Sequence, residues 1–201
     1  MQTFLHVGCG PKRKEQTTPG FNSPDWKEIR LDIDPAVKPD IIGTMTDMSD
    51  VAPGSMNAVY SSHNIEHLYA HEVPQALSEF RRVLTADGFA VITCPDLQSV
   101  AALVADDKLT EPAYVSPAGP ISPHDTLYGF GRAMAAGNLY MAHRCGFTRK
   151  SLLQVLRENG FNAAIMQRPQ HFDLWAIASK SPRSNEELMS LVRAHFPRSP
   201  A

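Results

Sequence analysis

Thr3-Phe4-Leu5-His6-Val7-Gly8-Cys9-Gly10 decides how the chain is read. Phe4, Leu5 and Val7 form a short apolar run of strand-forming side chains, cut off by two glycines. Such a run suits a strand buried on both faces of a parallel sheet. Glycine tolerates backbone angles closed to other residues and lets a ligand come close to main-chain N–H groups. A strand running into Gly-x-Gly therefore predicts a nucleotide-like ligand at the carboxyl end of the first strand. A dinucleotide fingerprint places a third glycine three positions after the second. Here that position holds Arg13, between Lys12 and Lys14. Asp32, in Arg30-Leu31-Asp32-Ile33-Asp34-Pro35, stands near the distance at which a carboxylate ending a second strand takes both hydroxyls of a ribose. The expected ligand is a nucleoside without a pyrophosphate.

Working outward, residues 11–26 are rich in Lys, Thr, Pro, Gly and Ser, and predict a loop with at most one helical turn. Strands are predicted over 28–31, 40–42, 57–61 and 89–94. Val73, Leu77, Phe80 and Leu84 recur at helical spacing, with Pro74 in the first turn, where its missing N–H costs nothing. Strands alternating with helices indicate a parallel sheet with right-handed crossovers. From 106 to 146 prolines and glycines break the pattern, and no regular element is expected before Tyr128. Thr148 caps a helix that Asn159-Gly160 ends. Residues 161–167 and 173–179, joined through Arg168-Pro169-Gln170, predict an antiparallel pair, and 184–195 a short helix on the surface. Trp26 and Trp175 read as core or half-buried aromatics.

Three segments in order, Leu5-His6-Val7-Gly8-Cys9-Gly10, Leu31-Asp32-Ile33-Asp34-Pro35 and Tyr60-Ser61-Ser62-His63-Asn64-Ile65-Glu66-His67-Leu68, resemble successive motifs of class I S-adenosylmethionine-dependent methyltransferases. Phe80-Arg81-Arg82-Val83-Leu84-Thr85-Ala86-Asp87-Gly88-Phe89 resembles the helix-turn-strand that follows them in that family. The resemblance covers roughly the first half of the chain. It implies an α/β, doubly wound, mostly parallel seven-stranded, Rossmann-like sheet with an antiparallel last strand and an insertion before the final helix. The expected layout is a methyltransferase domain over 1–181, a substrate-facing lid over 106–146, and a tail with a short helix over 182–201.

The resemblance also implies the cofactor, S-adenosylmethionine, and its contacts. Gly8, Cys9 and Gly10 would meet its methionine part, Asp32 its ribose, and Ile33 the face of its adenine. Met45 and Asp47, in Thr44-Met45-Thr46-Asp47, would meet the adenine edge; Thr44 stands where many relatives carry an acid. Ser62 and His63 would lie beside the methyl group. Displacement at a sulfonium needs mainly alignment of donor and acceptor, so cofactor-holding groups stand out more than catalytic ones. His63 and His143 are the candidate catalytic bases, and Tyr128, Arg132 and His143 the candidate acceptor contacts. His124 is another histidine of the insertion open to a base role. Lys12, Arg13 and Lys14 suit either an anion clamp or a solvated loop.

His63-Asn64-Ile65-Glu66-His67 also fits His-x-x-Glu-His, a zinc-peptidase pattern that needs both histidines on one helix face with Glu66 as base. Its place directly after a strand matches the methyltransferase motif instead, so no metal is expected beyond adventitious binding, to which His71 would add. A cofactor-binding protein of the same fold without transferase activity is the nearer alternative. With 201 residues, 43% of them hydrophobic, and a net charge of −2, the chain suits one domain without an electrostatic pull toward nucleic acid or membrane. Three cysteines without Cys-x-x-Cys give no disulfide framework. A strand starting within three residues leaves no room for a signal peptide, and no apolar run would span a bilayer. The expectation is a cytoplasmic enzyme acting on a small or carbohydrate-like acceptor.

Overall fold

The structure is a computed structural model that describes residues 1–197; positions 198–201 of the expected tail lie outside the described residues. Strands β1 (Gln2–Val7), β2 (Trp26–Asp32), β3 (Ile41–Ile42) and β4 (Met56–Ser62) lead into helix α1 (Val73–Val83) and strand β5 (Leu84–Pro95). Then come α2 (Leu97–Ala105), a small hairpin β6 (Tyr114–Ser116) and β7 (Gly119–Ile121), α3 (Pro123–Tyr128), α4 (Gly131–Ala135) and α5 (Arg149–Glu158). Strands β8 (Asn162–Arg168) and β9 (Asp173–Ser179) and helix α6 (Asn185–His195) complete the described chain. Seven strands form one sheet in the order β3-β2-β1-β4-β5-β9-β8. Every pairing is parallel except those of β9 with β5 and β8. This is the mostly parallel α/β sheet that the sequence pattern implies. Its strand order reverses between β1 and β4, and ligands of open α/β sheets bind at such a switch point.

The two faces of the sheet are covered differently. On one, Leu77 and Phe80 of α1 and Leu152 and Leu156 of α5 pack on Leu5, Val59, Ala90 and Ala176, all fully buried. On the other, Phe4, Tyr60, Phe89 and Ile177 would face a helix if the chain formed one after Gly10. It forms a single 3₁₀ turn, Lys14–Gln16, in a segment otherwise broken by prolines and glycines. Cover comes instead from Phe21 of that loop and from Leu188 and Phe196 in and beyond α6. Phe21 stacks on Phe4 with ring centroids 4.3 Å apart and is fully buried. A buried aromatic of this size contributes roughly 1.5–3 kcal/mol. Helix α6 forms where a short surface helix is expected for 184–195, and its inner side, through Leu188, covers the sheet.

A further difference has a local cause. The stretch before Tyr128 holds regular elements. Ser122 caps α3 through a reciprocal box with Asp125, and Pro123 fills the first turn. That signal stands in the sequence but is masked by surrounding prolines. Asp96 caps α2 by accepting from the Gln98 N–H, and also accepts from the Ser99 hydroxyl and the Gln167 amide.

His195, at the end of α6, shares a 2.7 Å hydrogen bond between its Nδ1 and the Thr18 hydroxyl, with both residues buried. Burial pushes its imidazole down from the ordinary 6.5 to about 4. A histidine kept neutral by folding contributes stability that is complete above the unfolded value of 6.5 and is lost as pH falls toward 4. That interval is worth about 3 kcal/mol. In His195→Phe, the drop in unfolding free energy between pH 7 and pH 4, read by urea denaturation, should be smaller by about that amount. An equal drop in both proteins would refute the assignment.

Candidate functional site

The carboxyl ends of β1, β2 and β4 open into a cleft of about 520 Å³, within the roughly 300–1,000 Å³ range of small-molecule sites. Gly8, Cys9, Gly10, Asp32, Ile33, Met45, Ser62 and His63 all line it. Asp47 does not: it is exposed, and its carboxylate accepts from the Ser49 N–H, holding a local turn.

The loop after β1 is fixed from three directions. Gly8 has φ +60, and a Cβ there would lie 2.1 Å from the Asn64 side chain, so no other residue fits. Asn64 Nδ2 donates to the Val7 carbonyl at 2.9 Å and to the Ser62 carbonyl at 3.1 Å, joining the ends of β1 and β4. From below, Arg30 of β2, 2% exposed, donates to the carbonyls of Gly10 and Lys12 and to those of Val37 and Lys38. One guanidinium thus ties the loop after β1 to the loop after β2. From the side, Glu28 bridges His6 Nδ1, at 2.7 Å, and the Lys14 N–H, at 3.1 Å.

The loop N–H groups, expected to face a ligand, are committed within the fold. Those of Gly8 and Cys9 donate to the Leu31 carbonyl, and that of Gly10 donates to Asp32 Oδ2 at 2.7 Å. Asp32 Oδ1 accepts from the Asp34 N–H at 2.9 Å. Each carboxylate oxygen keeps further lone-pair capacity. Ile33 is 43% exposed, an apolar surface at the cleft. Burial pushes the Cys9 thiol up to about 11, so it stays protonated near neutral pH. It is no nucleophile.

At the end of β4, His63 adopts φ +54, unusual for a residue with a side chain, and its side chain is about half exposed. A 3₁₀ turn, Ile65–His67, follows, so His63 and His67 do not share the α-helical face that the peptidase pattern demands. Glu66 is buried, with His63 Nδ1 3.4 Å from its Oε1. Burial opposes its charge, but the His63 contact, and the pull of His63, His67 and His143 when these are protonated, outweigh that and lower the carboxyl below its ordinary range.

The insertion reaches the cleft by other residues than expected. Asn138, Tyr140, Met141 and Arg144 line it, whereas Tyr128, Arg132 and His143 do not. Tyr128 is exposed beside His124, their rings 5.0 Å apart, and Arg132 donates to the Pro120 carbonyl on the small hairpin. His143 packs behind His67, ring centroids 4.9 Å apart, with Nδ1 2.7 Å from the Thr126 carbonyl. Burial lowers its pKa. The backbone sets this wall: the N–H groups of Arg144 and Cys145 donate to the Glu66 carbonyl at 2.8 and 3.2 Å. Gly129 lets the Met141 carbonyl approach to where a Cβ would stand, 2.0 Å away. No periodicity marks residues 138–144; only their fixed distance from the Glu66-His67 turn brings them here.

The family described as "Methyltransferase domain" matches residues 5–92. No curated protein sequence gives a significant match. Among solved structures, the fold is similar to the Burkholderia thailandensis 1,6-didemethyltoxoflavin-N1-methyltransferase with bound 1,6-didemethyltoxoflavin and S-adenosylhomocysteine. That pair is 15% identical, with 90% of this chain and 71% of the other covered and a TM-score of 0.55. A Listeria monocytogenes protein assigned as an S-adenosylmethionine-dependent methyltransferase is 14% identical, with 90% of each chain covered and a TM-score of 0.58. An Archaeoglobus fulgidus S-adenosylmethionine-dependent methyltransferase is 14% identical, with 89% and 86% covered and a TM-score of 0.55.

Replacing Arg30 by Lys leaves one compact donor group in place of a planar fork. Arg30→Lys should unfold with about 2–4 kcal/mol less stability. The loop of residues 10–14 should exchange its amide hydrogens faster than β1. Unchanged exchange there would show that the guanidinium does not hold the loop.

Proposed function

We propose that the chain, a class I S-adenosylmethionine-dependent methyltransferase, methylates a small polar acceptor held between the glycine loop and residues 138–144. The observation that carries this reading is the convergence of Gly8–Gly10, Asp32, Ile33, Met45, Ser62 and His63 on one cleft at the switch point of the sheet. The cofactor fits the groups present. The free lone pairs of Asp32 suit two ribose hydroxyls, and Ile33 and Met45 offer an apolar seat for a flat base. With its N–H groups committed, the loop offers the second lone pairs of its carbonyls to an ammonium group, and Lys12 at the cleft suits a carboxylate. When bound, the cofactor supplies an electrophilic methyl group on a sulfonium.

The chain's own residues then align, exclude water and take a proton. Tyr140, Met141, Asn138 and Arg144 form the acceptor wall, offering hydrogen bonds and one positive charge. His63, the titratable side chain at the end of β4 that faces this wall, serves as general base toward an oxygen or nitrogen acceptor. Its strained backbone fits a functional position. Orienting donor and acceptor in line accounts for most of the acceleration such a site needs, on the order of 7–11 kcal/mol. No helix among the described residues is long and apolar enough to cross a membrane, which agrees with a small acceptor reached from solution.

Calorimetry should show binding of S-adenosylmethionine and of S-adenosylhomocysteine, and none of NAD. Tight NAD binding without response to the other two would sink the reading. Asp32→Ala should keep its folded circular dichroism and bind S-adenosylhomocysteine about 10- to 100-fold more weakly, as expected for lost hydrogen bonds to a charged acceptor. An unchanged dissociation constant would remove Asp32 from the site.

A further inference from the structure

Glu66 presents a problem that methyl transfer does not solve. It is 1% exposed, and neither carboxylate oxygen has a hydrogen-bond partner. Taking a carboxylate out of water without pairing it is strongly unfavourable. His63 stands nearest on one side, but at 3.4 Å and without hydrogen-bond alignment. On the other side are His67 and His143. Each of these directs Nδ1 at a backbone carbonyl, Ala142 at 3.0 Å and Thr126 at 2.7 Å. A carbonyl only accepts, so Nδ1 carries a proton in both rings, and in the neutral ring the lone pair lies on Nε2. A histidine oriented by Nδ1–H on a carbonyl is the arrangement found around bound metals. One ligand atom from each of Glu66, His67 and His143 lies within 4.8 Å of the others.

We propose that Glu66, His67 and His143 bind one divalent transition-metal ion of the zinc class. Two imidazole nitrogens and one carboxylate oxygen suit zinc or cobalt(II) and not the all-oxygen sites of magnesium or calcium. Zinc bonds of about 2.0–2.2 Å set tetrahedral ligand atoms about 3.4 Å apart, so the three atoms would close by up to about 1.4 Å from their present separations. The ion would neutralise Glu66 and join two parts of the chain. Glu66 and His67 belong to the turn after β4, and His67 lines the cleft, while His143 comes from the insertion. The donor set differs from the His-x-x-Glu-His pattern: His63 stays outside it, and His71 stacks on Tyr69, rings 5.7 Å apart. The ion therefore fixes the acceptor wall against the sheet and needs no peptidase chemistry.

The site does not depend on the methyl-transfer reading, because metal binding is measured without cofactor or acceptor. Chelator-stripped full-length protein is titrated with cobalt(II), followed by its visible absorption, and with zinc, followed by calorimetry and thermal unfolding. The expected result is one ion per chain at micromolar affinity or tighter, with a raised unfolding temperature. His143→Ala and Glu66→Gln should each weaken binding by on the order of a hundredfold, and His71→Ala should leave it unchanged. Circular dichroism shows whether each variant is folded. Should a variant fail to fold, the wild-type titration still decides, because no saturable binding below about 100 µM, where millimolar sites begin, overturns the proposal. Binding that survives His143→Ala in folded protein, or disappears in His71→Ala, overturns it equally.

Discussion

A buried positive charge on β2 governs the shape of the site. Arg30 donates to four backbone carbonyls from two loops, and among the described residues no carboxylate forms an ion pair with its guanidinium. A helix opening at the second glycine would satisfy this backbone by itself. Without one, residues 10–14 and 35–38 leave carbonyls inside the protein, and an unpaired one costs about 1–3 kcal/mol. The fork of the guanidinium meets several at once, which a point-like ammonium does not. Both the turn carrying Gly10 and the segment following Asp32 take their positions from it. The two faces of the cleft are thus set relative to each other by one side chain that never enters it.

The opposite wall follows a similar rule with different parts. The Glu66 carbonyl receives two N–H groups from Arg144 and Cys145, the Arg144 side chain donates to the His67 carbonyl, and the Cys145 thiol to that of Ile65. The turn after β4 is thereby a splint for the insertion. Main-chain bonds fix it more rigidly than contacts between long side chains, whose freedom must be given up on ordering. Tyr140 and Arg144 inherit their positions from this splint.

The mostly parallel sheet with its antiparallel last strand, and the strand ends that open into the cleft, are legible because their signals are local: a run of apolar residues, two glycines, an acid at a strand end. Each of Gly8, Asp32 and Ser62 sits within a few residues of a strand terminus, so naming the strand placed the side chain. Arg30 and Asn64 stand within those motifs, yet their roles depend on partners up to 20 and 57 positions away, respectively. Nothing in the neighbouring residues announces such pairings. Tyr128 and Arg132 suit a polar acceptor by residue type, but α3 and α4 carry them away from the cleft. The cover of the second face was also hidden, because the apolar spacing of α6 shows that it has a buried side without showing what that side meets.

That cover has a consequence for how the protein comes into being. Phe4, Tyr60 and Phe89 face α6 and Phe196, and the Thr18–His195 bond spans 177 positions of sequence. During synthesis the strands that form the cleft exist long before the segment that shields them is made. Until then one side of the sheet presents aromatic rings to water, with Phe21 as their nearest shelter. Contacts this distant in sequence slow folding, because the closing of long loops must precede their reward. Exposed apolar surface in the interval invites association with other chains. Removal of the segment beginning at 185 would therefore leave the cofactor loops encoded in full and the nascent chain dependent on a chaperone.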